Sequence, residues 1–138
     1  MRSVVQDDKW AKAIVEEACH IEIQGNYSGL VFIDGSRPIG AGVFTNYWPN
    51  WSVEYTATLS DGIIGMKIAR VVADYVFRTM NCHRCTAITR YDNMKAQVAL
   101  RKIGFISEGI MREHFPGAID GVVYGLLRSE QRLIKGLK

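Results

Sequence analysis

Residues 58–67, TLSDGIIGMK, run from a strand-like stretch through a glycine-bearing turn into a long amphipathic run. The first N–H groups of a helix have no partners inside it, and glycines let a phosphate approach the backbone, so such a turn suits a pyrophosphate. A second reading fits the same residues: Asp61 caps the helix and Gly62 eases the turn. The stretch is not a Walker loop, because Gly-Lys-Ser/Thr is missing. Nor is it a dinucleotide fingerprint, because Gly62 and Gly65 are wrongly spaced for one. Asn93 stands at the mouth of a shorter amphipathic run. It can cap that run or offer its amide to a ligand, and capping is the commoner use. Gly104 closes the run where a helix C-terminus wants a positive φ. Cys82 and Cys85, in CHRC, have the spacing of a redox pair or half a zinc site. A redox pair sits at a helix start, however, and this one lies at a helix end ahead of a strand. With no second ligand pair for zinc, the two cysteines read as structural and no metal is expected. His20 reads as an exposed strand residue.

The elements that position these residues follow from periodicity. Residues 7–19 form a helix with an Asp start and Trp10, Ile14 and Cys19 near one face. HIEIQ, 20–24, alternates and reads as a short strand closed by Gly25-Asn26. SGLVFI and IGAGVFTNYW flank the turn DGSRP, so residues 28–47 read as a hairpin. WSVEYTATL is a fourth strand, and a long helix spans 62–80. RCTAIT is a strand, 93–102 a helix, and FISEGIMRE and GVVYGLLR two final strands. QRLIKGLK is a tail or short helix. Strands alternating with single helices in the middle imply parallel neighbours, and hairpins at the ends imply antiparallel pairing. The fold class is therefore α/β (α+β), a mixed sheet covered by helices.

At 138 residues the chain is most simply one domain, 1–138, large enough to bury a core without staples. It is 48% hydrophobic and 22% charged, ordinary for a globule, and no apolar run approaches a membrane span. MRSVVQDDKW lacks the apolar core of a signal peptide, and three cysteines suit a reducing compartment, so the expectation is cytoplasmic. The net charge of +3 is spread over scattered Lys and Arg, which argues against nucleic acid as a partner.

In order, the chain shows strand, glycine turn, long helix, DYVF (74–77), HR (83–84), Asn93, KIGF (102–105), EG (108–109), Arg112, Asp120 and Tyr124. This train resembles the GNAT superfamily of acyl-CoA-dependent N-acetyltransferases, nearest the branch that modifies ribosomal-protein N-termini. The spacing matches over residues 54–129, and the preceding hairpin fits as well. The resemblance implies a mostly antiparallel sheet whose central parallel pair splays into a wedge. Acetyl-CoA, the cosubstrate, would lie in that wedge with its pantetheine against the fourth strand near Thr58 and Leu59, like an added strand. The pyrophosphate would sit on the long helix start, at Gly62, Ile64, Gly65, Met66 and Lys67. Asn93 would bond the pantetheine arm from the short helix, which runs to Lys102. A backbone N–H near Leu59 would meet the thioester carbonyl charge.

The implied activity is acetyl transfer to a primary amine by direct attack in a ternary complex. The amine could belong to a protein N-terminus, a lysine or a small molecule. Such an amine, with a pKa near ~8–10, is largely protonated at pH 7, so a base must take a proton. Relatives often carry a carboxylate where Glu54 stands; Glu113, followed by His114, is the second candidate. The aromatic run Tyr47, Trp48, Trp51 and Tyr55 would border the substrate mouth. The chain departs from the family at Gly62, where Arg or Gln is usual, and at Lys67, where Gly or Ala is usual. Leu100 stands where many relatives carry a Tyr acid, and Ala96 where others carry a Ser. These departures keep a second class open, a catalytically weak or inactive acyl-CoA-binding or protein-interaction module on the same fold. The resemblance is compatible with a homodimer and with no membrane partner.

Overall fold

The computed structural model describes residues 2–59 and 65–137. In chain order it contains β1 (Arg2–Gln6), α1 (Asp8–Cys19), β2 (Tyr27–Asp34), β3 (Arg37–Trp48), β4 (Ser52–Leu59), α2 (Met66–Asp74), β5 (Arg84–Arg90), α3 (Met94–Lys102), β6 (Ile106–Phe115) and β7 (Ile119–Leu127). A π-helical turn, Tyr75–Thr79, continues α2. The seven strands form one sheet in the order β1-β2-β3-β4-β5-β7-β6. Every neighbouring pair is antiparallel except β4–β5, which is parallel. No helix among the described residues is long and apolar enough to cross a membrane.

Alternation along the central strands divides the core in two. Val31, Ala41 and Val43 project to one face and are covered by α1 through Ala11 and Val15. Phe32, Phe44, Val53, Tyr55, Cys85, Ala87, Tyr124 and Leu126 project to the other, against α2 and its π turn. Asp7 caps α1 by accepting the Trp10 N–H at 3.1 Å. The buried stripe of α1 is centred one residue later than the periodicity predicts: Ala11 and Val15 are fully buried, and Trp10 is exposed. Ile14 and Cys19 flank that stripe.

Two strand assignments change. HIEIQ is not a strand but the return from α1. Its alternation is satisfied differently: Ile21 and Ile23 pack on the α1 cluster, and the Ile23 N–H donates to Glu16 Oε2 at 2.8 Å. The seventh strand is instead Arg2–Gln6, which pairs with β2 from Arg2↔Asp34 to Gln6↔Leu30. The long helix is α-helical only to Asp74, because the Met80 N–H bonds the Tyr75 carbonyl five residues back, at 2.8 Å. Its first predicted turn falls outside the described residues. The C-terminal segment forms no helix. Gln131, 1% exposed, ties it down by accepting the N–H groups of Leu133 and Ile134 and donating to the carbonyls of Ile134 and Leu137.

The parallel pair decides where a site can be. β4 and β5 are in register from Ser52↔Arg84 to Tyr55↔Ala87, and there the pairing stops. β4 continues to Leu59 with β3 alone, and β5 continues to Arg90 with β7 alone. The two strands therefore diverge within the sheet.

Candidate active site

The divergence opens a cavity of about 570 Å³, within the usual range for small-molecule sites, roughly 300–1,000 Å³. One wall is β4 from Tyr55 to Leu59; the facing wall is β5 from Ala87 to Arg90. Beyond Tyr55 the edge of β4 that faces β5 has no strand opposite it. Backbone groups left without a ladder partner in this way are ready to pair with an extended ligand. Helix α3 closes one side through Asn93, Ala96, Ala99 and Leu100. The end of α1 and the residues after it close the other, through Cys19, His20 and Ile21.

Helix α3 is held in place by a buried polar chain. The Tyr124 hydroxyl donates to Gln97 Oε1 at 2.9 Å, and Gln97 Nε2 donates to the Tyr91 carbonyl at 2.8 Å. Asn93 meets both of its expected uses. Its Oδ1 accepts the Ala96 N–H at 3.1 Å, capping α3, and its side chain lines the cavity. Gly104 has φ +109°, as the helix end requires.

Of the anticipated cofactor residues, Thr58, Leu59 and Asn93 come together in this cavity. Gly62 and Ile64 lie outside the described residues. Gly65 is the N-cap of α2, Met66 is exposed, and Lys67 Nζ donates to the Arg2 carbonyl at 3.0 Å. A Cβ added to Gly65 would lie 3.7 Å from the Arg2 guanidinium. Strand β1 thus brings a second cation to the start of α2, where the helix dipole already favours an anion. The sequence signal for Arg2 was β1 itself, five residues with no turn behind them. Lys102 is at the exposed end of α3 and does not line the cavity.

The two carboxylates sit apart from the cavity lining. Glu54 pairs across to Thr45 and Thr86, and its Oε2 accepts from Asn46 Nδ2 at 2.6 Å. Because Val53 and Tyr55 face α2, Glu54 and Thr56 face α1. Glu54 is one same-face position, about 7 Å, before Thr56 at the cavity. Glu113 lies in an irregular part of β6, with φ +53° and its N–H donating to Asp120 Oδ1 at 2.8 Å.

The aromatic run is a correction. Only Tyr55 lines the cavity. Tyr47, Trp48 and Trp51 flank the β3–β4 turn, at the opposite end of β4 from the split. Six residues of strand separate Trp51 from Ala57, about 20 Å. Trp48 and Trp51 are 69% and 59% exposed, and Trp51 stacks on His83 with ring centroids 4.9 Å apart. The Tyr55 ring stacks on Phe44 at 5.0 Å, and its buried hydroxyl has no hydrogen-bond partner among the described residues. Burial holds that phenol far above its ordinary range, so it stays protonated.

Cys82 and Cys85 are buried and free. Burial pushes the Cys82 thiol up to about 11 and the Cys85 thiol higher. Neither is a thiolate near neutral pH, in keeping with a structural role. Among the described residues, no group of three or more His, Cys, Asp or Glu could hold a metal ion.

A sheet split at its one parallel pair, with α3 on one side of the gap and the end of α1 on the other, is matched by solved acetyltransferases. The ribosomal-protein-S5-alanine acetyltransferase of Vibrio fischeri superimposes with a TM-score of 0.73 at 15% identity, over 95% of each chain. The chain has the GNAT acetyltransferase fold. The spermidine/spermine N-acetyltransferase SpeG of Vibrio cholerae matches with a TM-score of 0.72 at 17% identity, over 93% of each chain. A GNAT-family acetyltransferase of Bacillus anthracis matches 75% of this chain and 67% of its own, with a TM-score of 0.62 and 22% identity. No protein-family model matches the sequence, and no curated protein matches it. In the GNAT frame, β4 and β5 are the splayed central pair and α2 is the next described helix after β4.

Proposed function

We propose that this chain transfers an acetyl group from acetyl-CoA to a primary amine by direct attack in a ternary complex. The observation that carries the proposal is the split between β4 and β5 after Tyr55↔Ala87, which opens a cavity reached from both α1 and α3. Two reactants can then meet at one point from opposite faces, which removes most of the entropic cost of their encounter. The pantetheine of acetyl-CoA would extend along β4 past Thr58 and Leu59, taking the place of the missing strand. Its pyrophosphate would rest at the start of α2, near Gly65, Lys67 and Arg2. Asn93 and the apolar wall of α3 would hold the thioester end. The acceptor would enter beside the end of α1. The substrates that two structural neighbours are named for, ribosomal-protein-S5 alanine and spermidine or spermine, are both amine-bearing.

The second reading is an acyl-CoA-binding module without useful turnover. It is favoured by the α3 wall, where Ala96, Ala99 and Leu100 offer no acid to the departing thiolate. Transfer does not require one, because a thiolate with a pKa near ~8.5 can leave and take its proton from water.

Both readings require acetyl-CoA to bind. A ligand at 100 times its Kd stabilises the fold by about 2.7 kcal/mol. For a chain of this size that corresponds to roughly a 10 °C rise in Tm. A melting curve unmoved by millimolar acetyl-CoA would contradict both.

A further inference from the structure

The cavity has a chemically uneven lining. Its α3 side is largely apolar, and its α1 side carries Cys19 and His20. Of the described lining groups, Arg90 and Lys95 are cations, and burial keeps the Tyr55 phenol and the Cys19 thiol protonated. His20 brings the one imidazole found among the described lining residues, and an imidazole nitrogen can accept a proton.

Its position depends on an unusual backbone. His20 is the residue that ends α1, with φ 54° and ψ 46°, in the left-handed region. Its N–H and that of Ile21 both return to the Glu16 carbonyl, closing the helix end. Glycine is the usual residue there because a Cβ is crowded in that conformation. Here a solvent-exposed histidine occupies it, and that residue is part of the cavity lining. Strain of this kind, kept at a cavity, is a mark of function.

We propose that His20 is the catalytic base that takes the proton from the acceptor amine; this rests on the acetyl-transfer reading above. The ammonium of the acceptor gives one proton to an imidazole nitrogen, leaving a neutral amine and an imidazolium. The amine lone pair forms the C–N bond, the C–S bond breaks, and the electron pair leaves on sulfur. The new amide nitrogen loses its second proton, CoA thiolate takes one up, and His20 returns its proton to solvent. The net products are an amide, CoA thiol and one proton. Glu16 and Glu17 on the last turns of α1, Glu22 after it, and Arg90 and Lys95 on the cavity lining are the charges around the imidazole. Glu16 is already engaged by the Ile23 N–H and by Lys12.

The helix end supplies an unusually clean test. His20→Gly removes the base and installs the residue that the backbone prefers, so the fold should melt no lower than wild type. His20→Asn keeps a polar side chain that tolerates the same conformation. Free CoA thiol is measured with spermidine and with an alanyl peptide as acceptor probes. Both variants should lose about 10²–10⁴-fold in kcat/KM, with unchanged acetyl-CoA affinity. The rate of both variants should partly recover at high pH, where more acceptor is already neutral, and added imidazole should restore His20→Gly in part. Rates equal to wild type would overturn the role of His20 and leave acetyl transfer standing. A loss that follows a lower Tm, does not recover at high pH and ignores imidazole would also overturn it. The same loss in Glu54→Gln but not in His20→Gly would assign the proton to the carboxylate. A wild-type protein that binds acetyl-CoA but releases no thiol with either probe would remove the transfer reading and the base together.

Discussion

Replacing Ala96 with tryptophan is expected to abolish acetyl-CoA binding while leaving the protein folded. Ala96 is on the first turn of α3, half-buried, and its side chain faces the gap between β4 and β5. An indole there would occupy the space that the thioester end needs. It would extend into a cavity, so no packed neighbour must move to admit it. The helix itself loses only about 0.5 kcal/mol from the poorer propensity of Trp. Thermal melting should therefore show a near-normal Tm without ligand and none of the roughly 2.7 kcal/mol of stabilisation that saturating ligand confers on wild type. An unchanged acetyl-CoA shift in Ala96→Trp would place the ligand outside the cavity.

The largest effect on stability is expected for Phe44→Ala. Phe44 is 1% exposed on β3 and meets two aromatic neighbours, Tyr55 at 5.0 Å and Tyr75 at 4.9 Å between ring centroids. Its removal leaves a cavity at the point where β4, the π turn after α2 and the sheet join. Truncations of this kind cost about 3–5 kcal/mol, against a typical total of roughly 5–15. A Tm lower by roughly 10–15 °C is the expected readout for this chain length. Acetyl-CoA should still raise the Tm of the variant, since Phe44 does not line the site. A drop of only a few degrees would mean that the surrounding rings close the void.

The elements visible in the sequence are those whose pattern has one physical solution. The β2–β3 hairpin, the capped helix after Asp7 and the strand–Asn–helix unit at 84–102 are local, and each appears where its periodicity puts it. The parallel β4–β5 pair also followed from chain order, because a helix must connect two such strands. Where a pattern has two solutions, the tertiary structure chose. Period-two alternation in HIEIQ can serve a strand or a return that packs Ile21 and Ile23 on a helix, and the chain uses the second. β1 is too short to announce itself and exists because β2 offers it an edge.

The candidate site divides the same way. Thr58, Leu59 and Asn93, expected from the family resemblance, all line the cavity because they lie at the ends of elements that bound the split. His20 is exposed, as its sequence suggested, but it stands on no strand: it caps the end of α1 and lines the cavity. The aromatic run was misplaced because sequence proximity to Tyr55 does not say which end of β4 opens. Trp48 and Trp51 stand beside the start of β4, whereas the cavity begins at Tyr55 and runs on toward Leu59.

The central claim is that a primary amine and acetyl-CoA react within the split between β4 and β5. The direct measurement incubates the wild-type protein with acetyl-CoA and either spermidine or an alanyl peptide, and follows both products. The account predicts free CoA thiol and singly acetylated amine in equal amounts, with both lost in Ala96→Trp. Tight acetyl-CoA binding with no acetylated product from either amine, or product formation that survives Ala96→Trp, would contradict it.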